Sequence, residues 1–179
     1  THEKTAEMIA KKNPKLAIFM VYGQQPSAST QCMPGGKKTC SKLNEITSNE
    51  IKSIVIGTHA SALPKKTLEE EPYTYVCQGE GPLTVIELIN FLKGKTKDLK
   101  KIPGLWYLDK DKKVCSNPSA KMFEDLDQNL PGQAWKLLDM KKYKAHNWHT
   151  FGKLDTIKSY ASLQTSLGCP FKCTFCCIN

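Results

Sequence analysis

The sequence predicts a doubly wound, mostly parallel α/β sheet, and three observations predict it. Apolar runs of strand length recur at residues 16–22, 53–57 and 73–77. They are apolar at successive positions, as in strands covered on both faces. Each stops at glycine (Gly23, Gly57 and Gly79), and each is followed by a stretch of helical character, so that strand, loop and helix alternate.

The elements follow in order. Residues 2–12 suit a helix with Thr1 as its cap, and Pro14 breaks it. Such a helix normally follows a strand, so the first strand is expected ahead of Thr1. The chain likewise stops at Asn179 directly after its richest motif, and it reads as cut at both ends. After the strand at 16–22, residues 24–30 read as a polar loop. A helix around 38–44 follows, its start blurred by Pro34-Gly35-Gly36. Beyond the strand at 53–57, Thr58-His59-Ala60 reads as loop and residues 64–71 as a short helix. The strand at 73–77 ends at Gln78-Gly79-Glu80-Gly81. Pro82 suits a first helical position, and Val85, Ile86, Leu88, Ile89 and Leu92 give that helix an apolar face before Gly94.

From Ile102 the pattern changes. Residues 104–108, a charged turn at 109–113 and residues 114–115 predict a β-hairpin. Residues 117–158 read as a connecting segment packed through Trp135, Tyr143 and Trp148. Residues 160–165 read as a new strand leading into a cysteine loop. The expected organisation is an α/β domain at 1–100, hairpin and connecting segment at 101–158, and the start of a further domain at 159–179.

Composition narrows the function classes. The chain has 179 residues and a formal net charge of +9, all of its basic residues being lysine. Planar recognition of phosphates and bases usually recruits arginine. The lysines are scattered, so they read as solvated surface and no nucleic-acid partner is expected. No apolar run is long enough to cross a membrane, and no basic-then-apolar leader pattern opens the chain. Of eight cysteines, four lie within residues 169–177. A cluster of that kind points to metal ligation in a reducing, cytoplasmic compartment rather than to disulfides. Cys32, Cys40, Cys77 and Cys115 read as small buried hydrophobes.

Cys169-Pro-Phe-Lys-Cys173-Thr-Phe-Cys176 has the spacing C-x-x-x-C-x-x-C. Thiolates ligate iron–sulfur clusters, and three of them on one short loop leave a fourth iron open. The loop resembles that of radical S-adenosylmethionine enzymes, including the aromatic residue before the third cysteine. The resemblance implies a 4Fe–4S cluster held by Cys169, Cys173 and Cys176. It implies S-adenosylmethionine on the open iron with Phe175 packed near its adenine. It also implies that residues 160–165 are the first strand of a partial (β/α) barrel. A zinc knuckle would want a fourth ligand pair nearby, and a ferredoxin-type cluster a fourth cysteine followed by proline. Neither is present.

In doubly wound sheets ligands sit beyond the C-terminal ends of the strands. The residues there are glycines and small hydroxyl residues, which let a large planar ligand approach and donate hydrogen bonds to it. Residues 57–64, Gly79-Glu80-Gly81-Pro82 and residues 22–31 together resemble the Rossmann-like cobalamin-binding domain that precedes the barrel in one branch of radical S-adenosylmethionine enzymes. That resemblance implies cobalamin contacts from Gly23, Gln24, Ser27, Ser29, Thr30, Gly57, Thr58, His59, Gly79, Glu80 and Gly81. The D-x-H-x-x-G motif, whose histidine ligates cobalt from below in better-known cobalamin domains, is absent. His59 is the one histidine of these loops, either a neighbour of cobalt or a hydrogen-bonding loop residue. Glu80 either caps the helix at Pro82 or contacts the ligand.

The expectation is therefore the N-terminal part of a cobalamin-dependent radical S-adenosylmethionine enzyme, itself inactive without the rest of its barrel. It would transfer a methyl group or rearrange a small-molecule or lipid-like substrate, with an electron donor such as flavodoxin or ferredoxin. One alternative keeps the radical enzyme but leaves the α/β domain to position substrate or partner without cobalamin. Another is a zinc-stabilised nucleic-acid-binding domain.

Overall fold

The computed structural model describes residues 1–22, 26–122, 124–130, 132–145, 159–161, 163 and 171–175; at Pro26 and Ser27 it describes the backbone alone. The chain divides into two compact units, Thr1–Met122 and Phe123–Asn179.

The first unit holds a five-stranded mixed sheet in the order β1-β2-β3-β4-β5. Its strands are β1 (Leu16–Met20), β2 (Lys52–Ile56), β3 (Tyr75–Cys77), β4 (Leu105–Leu108) and β5 (Val114–Ser116). The first three are parallel, and β4 and β5 form the antiparallel hairpin expected around residues 109–113. The helices are α1 (His2–Lys12), α2 (Pro26–Thr47), α3 (Thr58–Ala62), α4 (Pro64–Glu70) and α5 (Pro82–Leu92).

Local chemistry explains α1. The Thr1 side chain accepts from the Lys4 N–H, Glu3 lies in the first turn, and Lys11 and Lys12 lie in the last. Asn13 ends it in the left-handed conformation at φ 43°.

Helices cover both faces of the sheet. On one, Val55 and Val76 pack with Met33 and Cys40 of α2, Ala60 of α3 and Leu68 of α4. Ala17 and Phe19 share that face and meet Ala6 of α1 and Leu43 of α2. On the other, Ile54, Ile56, Tyr75 and Cys77 pack against Leu88 of α5. Two-sided covering is what the continuous apolar runs predict. The described strands nevertheless run in sequential order, and no reversal of order lies among them.

Two loop expectations are corrected. Residues 26–30 are not loop but the first turns of α2, one continuous helix of 22 residues through Pro34. Pro34 costs a helical hydrogen bond. Gly36 explains the tolerated interruption, because a Cβ there would lie 2.5 Å from the Tyr73 hydroxyl and 3.3 Å from Val21 Cγ2. The Pro-Gly-Gly sequence is thus a packing device that brings α2 onto the sheet. Thr58, His59 and Ala60 form the start of the short helix α3 rather than a loop. Of the dispersed cysteines, Cys40 and Cys77 are buried as expected, Cys115 is half-buried and Cys32 is exposed.

The second unit contains a short helix α6 (Leu126–Asn129), 3-10 turns at Trp135–Leu137 and Met140–Lys142, and an antiparallel bridge between Lys144 and Ser159. Trp135 is half-buried and Tyr143 is 49% exposed, while Trp148 lies outside the described residues. So does half of the expected strand at 160–165. No described helix is long and apolar enough to cross a membrane.

Candidate functional site

Parallel strands place the chain segments that follow them at one end of the sheet. There β1 and β2 are tied by a buried hydroxyl. Ser29, fully buried on the second turn of α2, donates to the Val21 carbonyl oxygen and accepts from the His59 N–H at 3.1 Å. Gly57 makes this approach possible. Its φ is +154°, and a Cβ there would sit 2.1 Å from the Val21 oxygen and 3.2 Å from Ser29 Oγ. Ser29 and Gly57, both expected at the ligand, are buried, and both serve the join between β1 and β2.

One residue further along α2 the chemistry is accessible. Thr30 is exposed, and its Oγ1 lies 2.9 Å from Nδ1 of the half-buried His59. The bond fixes the ring and leaves Nε2 as the imidazole's second polar atom. Thr58 is half-buried at the start of α3.

The β3 end is built differently. The Gly79 N–H donates to Ser61 Oγ at 2.8 Å, with Gly79 at φ +106° and no atom within 4 Å of where a Cβ would lie. Its backbone is open to an approaching ligand. Gly81, at φ +103°, is buried, and a Cβ there would meet Ile56 Cγ2 at 3.0 Å, so it serves packing. Gly81 is also the N-cap of α5, with no side-chain cap bond. Glu80, one residue before that N-cap, is exposed.

Three residues were missed from sequence. Ser61 holds Gly79. Gln78 accepts from Trp106 Nε1 at 2.9 Å, and its N–H donates to the Gly104 carbonyl. Tyr22, 46% exposed, has its phenol pushed up by partial burial, then by the Cys77 thiol and the Glu80 carboxylate. The alternation of β1 could have flagged Tyr22, since an aromatic at a strand's C-terminal end stands beside this edge.

Gly23 and Gln24 lie outside the described residues, as do Cys169 and Cys176; the side chain of Ser27 is not described. Of the cysteine loop, Cys173 and Phe175 are described, both exposed. Among the described residues no group of three metal-ligating side chains is assembled.

No family model matches the chain. Curated relatives do. Over 77% of its length the chain is 32% identical to an uncharacterized methyltransferase of Pyrococcus horikoshii, of which it covers 28%. Over 98% of its length it is 25% identical to the anaerobic magnesium-protoporphyrin IX monomethyl ester cyclase of Cereibacter sphaeroides, of which it covers 26%. The chain thus spans about a quarter of the length of these relatives. Among solved structures, the radical S-adenosylmethionine methyltransferase TsrM from Kitasatospora setae superposes with a TM-score of 0.53 at 18% identity, over 66% of this chain and 22% of that one. The cobalamin-dependent S-adenosylmethionine radical enzyme OxsB superposes with a TM-score of 0.50 at 20% identity, over 68% and 16%. These likenesses establish the mixed α/β sheet.

Proposed function

For a chain similar to a curated methyltransferase and a curated cyclase, and folded like a cobalamin-dependent S-adenosylmethionine radical enzyme and a radical S-adenosylmethionine methyltransferase, we propose a place in a cobalamin-dependent radical S-adenosylmethionine enzyme, with the end of the sheet at Thr30, His59, Gly79 and Glu80 as its cobalamin seat. The observation that carries this reading is the open backbone at Gly79 facing the same end of the sheet as the Thr30–His59 pair.

These residues fit a corrin. A large flat ring fringed with carboxamides needs unobstructed backbone and a few hydrogen-bonding groups. Gly79 offers the first. The Glu80 carboxylate accepts from amide N–H groups, the Thr30 hydroxyl and His59 Nε2 supply further polar contacts, and Thr58 stands at the rim. Ser29 and Gly57 act behind them by holding β1 and β2 together. His59, oriented by Thr30, would offer Nε2 as a hydrogen-bonding neighbour of the corrin.

For the cluster, the donor chemistry of Cys169, Cys173 and Cys176 fits 4Fe–4S with one iron left for S-adenosylmethionine. Phe175 would lie against the adenine. When bound, the cluster supplies the electron that cleaves S-adenosylmethionine, and cobalamin supplies a transferable methyl group. The chain's own residues bind and orient these groups. The substrate class is a small or lipid-like molecule accepting methyl at an unactivated centre, and the electron donor a flavodoxin or ferredoxin.

Anaerobic reconstitution of the polypeptide as its gene encodes it, with iron, sulfide and hydroxocobalamin, tests the reading through metal analysis and the visible spectrum. The reading expects four irons per chain, by the donor set, together with a stoichiometric corrin spectrum. Four irons without corrin would leave a radical enzyme whose α/β unit positions substrate or partner. The missing cobalt-ligand motif favours that second reading.

A further inference from the structure

We propose that Gln78 and Trp106 form a positioning pair, through which the β4–β5 hairpin holds the open backbone at Gly79 and Glu80 ready for its ligand. The binding half of this inference rests on the reading of that end as a cobalamin seat.

The segment needs holding. Gly79 and Gly81 stand at φ +106° and +103° on either side of Glu80. Glycine gives a chain its widest choice of conformations, and a ligand that must first order such a segment binds it less tightly. Packing at Gly79 does not supply the order, because no described atom lies within 4 Å of where its Cβ would be.

The anchors lie on the two flanks, and both lead to the chain entering β4. Ahead of the segment, the Gln78 N–H donates to the Gly104 oxygen at 2.8 Å, and Gln78 Oε1 accepts from Trp106 Nε1 at 2.9 Å. Behind it, the fully buried Thr84, in the first turn of α5, donates to the Pro103 oxygen at 2.7 Å. Residues 103–106 thus grip the chain on both sides of Gly79-Glu80-Gly81. Ser61 of α3 adds a third hold by accepting from the Gly79 N–H at 2.8 Å.

The hairpin is shaped for this approach. Gly104 stands at φ +69°, and a Cβ there would lie 2.5 Å from the Gln78 carbonyl oxygen. Its own N–H donates to the Pro118 oxygen at 2.7 Å, and the buried Asn117 side chain donates to the Ile102 oxygen at 2.8 Å. The entry to β4 is therefore fixed from its far side. Register sets Trp106 opposite Val76. Val76 and Gln78, two residues apart on one strand, share a face, so indole and amide meet diagonally across the two strands. Trp106 packs on the core that holds Val55 and Val76. The core places the indole, and the indole places Gln78. Removing the indole N–H leaves the β3–β4 ladder in place, which separates positioning from folding.

Trp106→Phe, Gln78→Leu and the double variant, made in the polypeptide as its gene encodes it, test the pair. The readouts are residue-resolved amide exchange at Gly79 without ligand, and titration of hydroxocobalamin followed by its visible spectrum. Each single change should speed exchange at Gly79 about tenfold while Val55 in the core stays unchanged, and should weaken hydroxocobalamin about tenfold, the weight of one hydrogen bond. The double variant should lose no more than either single one, since the two residues share one bond. Changes below about twofold in either readout for both single variants would overturn the proposal. So would losses that multiply in the double variant, which would make the two residues independent. Equal acceleration at Val55 would mark a general loss of stability and overturn it as well. Failure of the unaltered protein to bind hydroxocobalamin would sink the cobalamin reading instead, and exchange at Gly79 then decides the positioning role by itself.

Discussion

The candidate site has two halves made of the same residue types and built for opposite ends. At the β1–β2 end a glycine and a serine are buried, and their geometry is consumed by the join: Gly57 against the Val21 carbonyl, Ser29 between Val21 and His59. At the β3 end a glycine and a carboxylate, Gly79 and Glu80, stand exposed, and no described atom lies within 4 Å of where a Gly79 Cβ would be. A glycine at a strand's C-terminal end thus carries no fixed meaning. What decides is whether the space a Cβ would take is already filled. The first half holds the site together, and the second is left free to bind.

The sharpest way to break this contrast is to add the missing methyl groups. Gly57→Ala drives a Cβ to 2.1 Å from a backbone oxygen at φ +154°. Neither backbone yields cheaply, so the loss is expected to be at least about 4 kcal/mol, the range reached by strain at special backbone positions. Gly79→Ala meets no atom and carries only positive-φ strain, about 1 kcal/mol. Urea midpoints of the two variants measure the difference. Equal losses would show that the two ends are not distinct.

Ser29→Ala probes the same join more gently. It removes the donor to Val21 and leaves the His59 N–H without its acceptor. Deleting one partner of a buried pair costs about 1–3 kcal/mol. A loss below about 0.5 kcal/mol would place this hydroxyl among surface groups, contrary to its complete burial.

Alkaline pH tests the packing behind the locked half. Burial pushes up the Tyr73 and Tyr75 phenols and the Cys40 and Cys77 thiols, with the Cys40 thiol and Glu71 carboxylate adding to the effect on Tyr73. An acid whose folded pKa is raised gives up its proton first in the unfolded chain. Stability is therefore intact below the ordinary thiol and phenol values of about 8.5 and 10, and falls as pH rises past them toward the folded values. Urea midpoints should be flat from about pH 6 to 8 and decline above about 9. Tyr73→Phe should flatten the decline, and an unchanged slope would mean that this phenol titrates as it does in water.

Much of this was legible in the sequence. Continuous apolar runs reported strands covered on both faces, and Thr1, Pro14, Pro82 and Gly94 marked helix ends near where the structure puts them. What was hidden is non-local. Pro34-Gly35-Gly36 has the composition of a break, and only the position of the Tyr73 hydroxyl shows why Gly36 belongs inside a helix. The bonds of Ser29 to Val21 and His59 are hidden from sequence because its partners come from other elements. The cysteine loop is read from spacing, a local property, and Cys169 and Cys176 lie outside the described residues. The division of labour between Gly57 and Gly79 was not legible, because it depends on which atoms another strand brings close.

The smallest expected effect on stability belongs to the open half, and it is where the cobalamin proposal is most exposed. Thr30→Val removes the hydroxyl that pins the His59 ring at 2.9 Å while keeping the side chain's shape. Both groups are accessible to water, so the net loss in stability should be no more than about 0.5 kcal/mol. Ligand binding should respond more, because the imidazole must then be ordered on binding and the hydroxyl's own contact is gone. Loss of one such hydrogen bond weakens affinity by about tenfold. Titration of hydroxocobalamin followed by its visible spectrum, with Gly79→Ala as a second variant narrowing the open backbone, reads both effects. Weaker binding in both variants, with urea midpoints nearly unchanged, would place the corrin on the open half. Unchanged affinity in both would move it elsewhere and leave this end of the sheet as the product of folding alone.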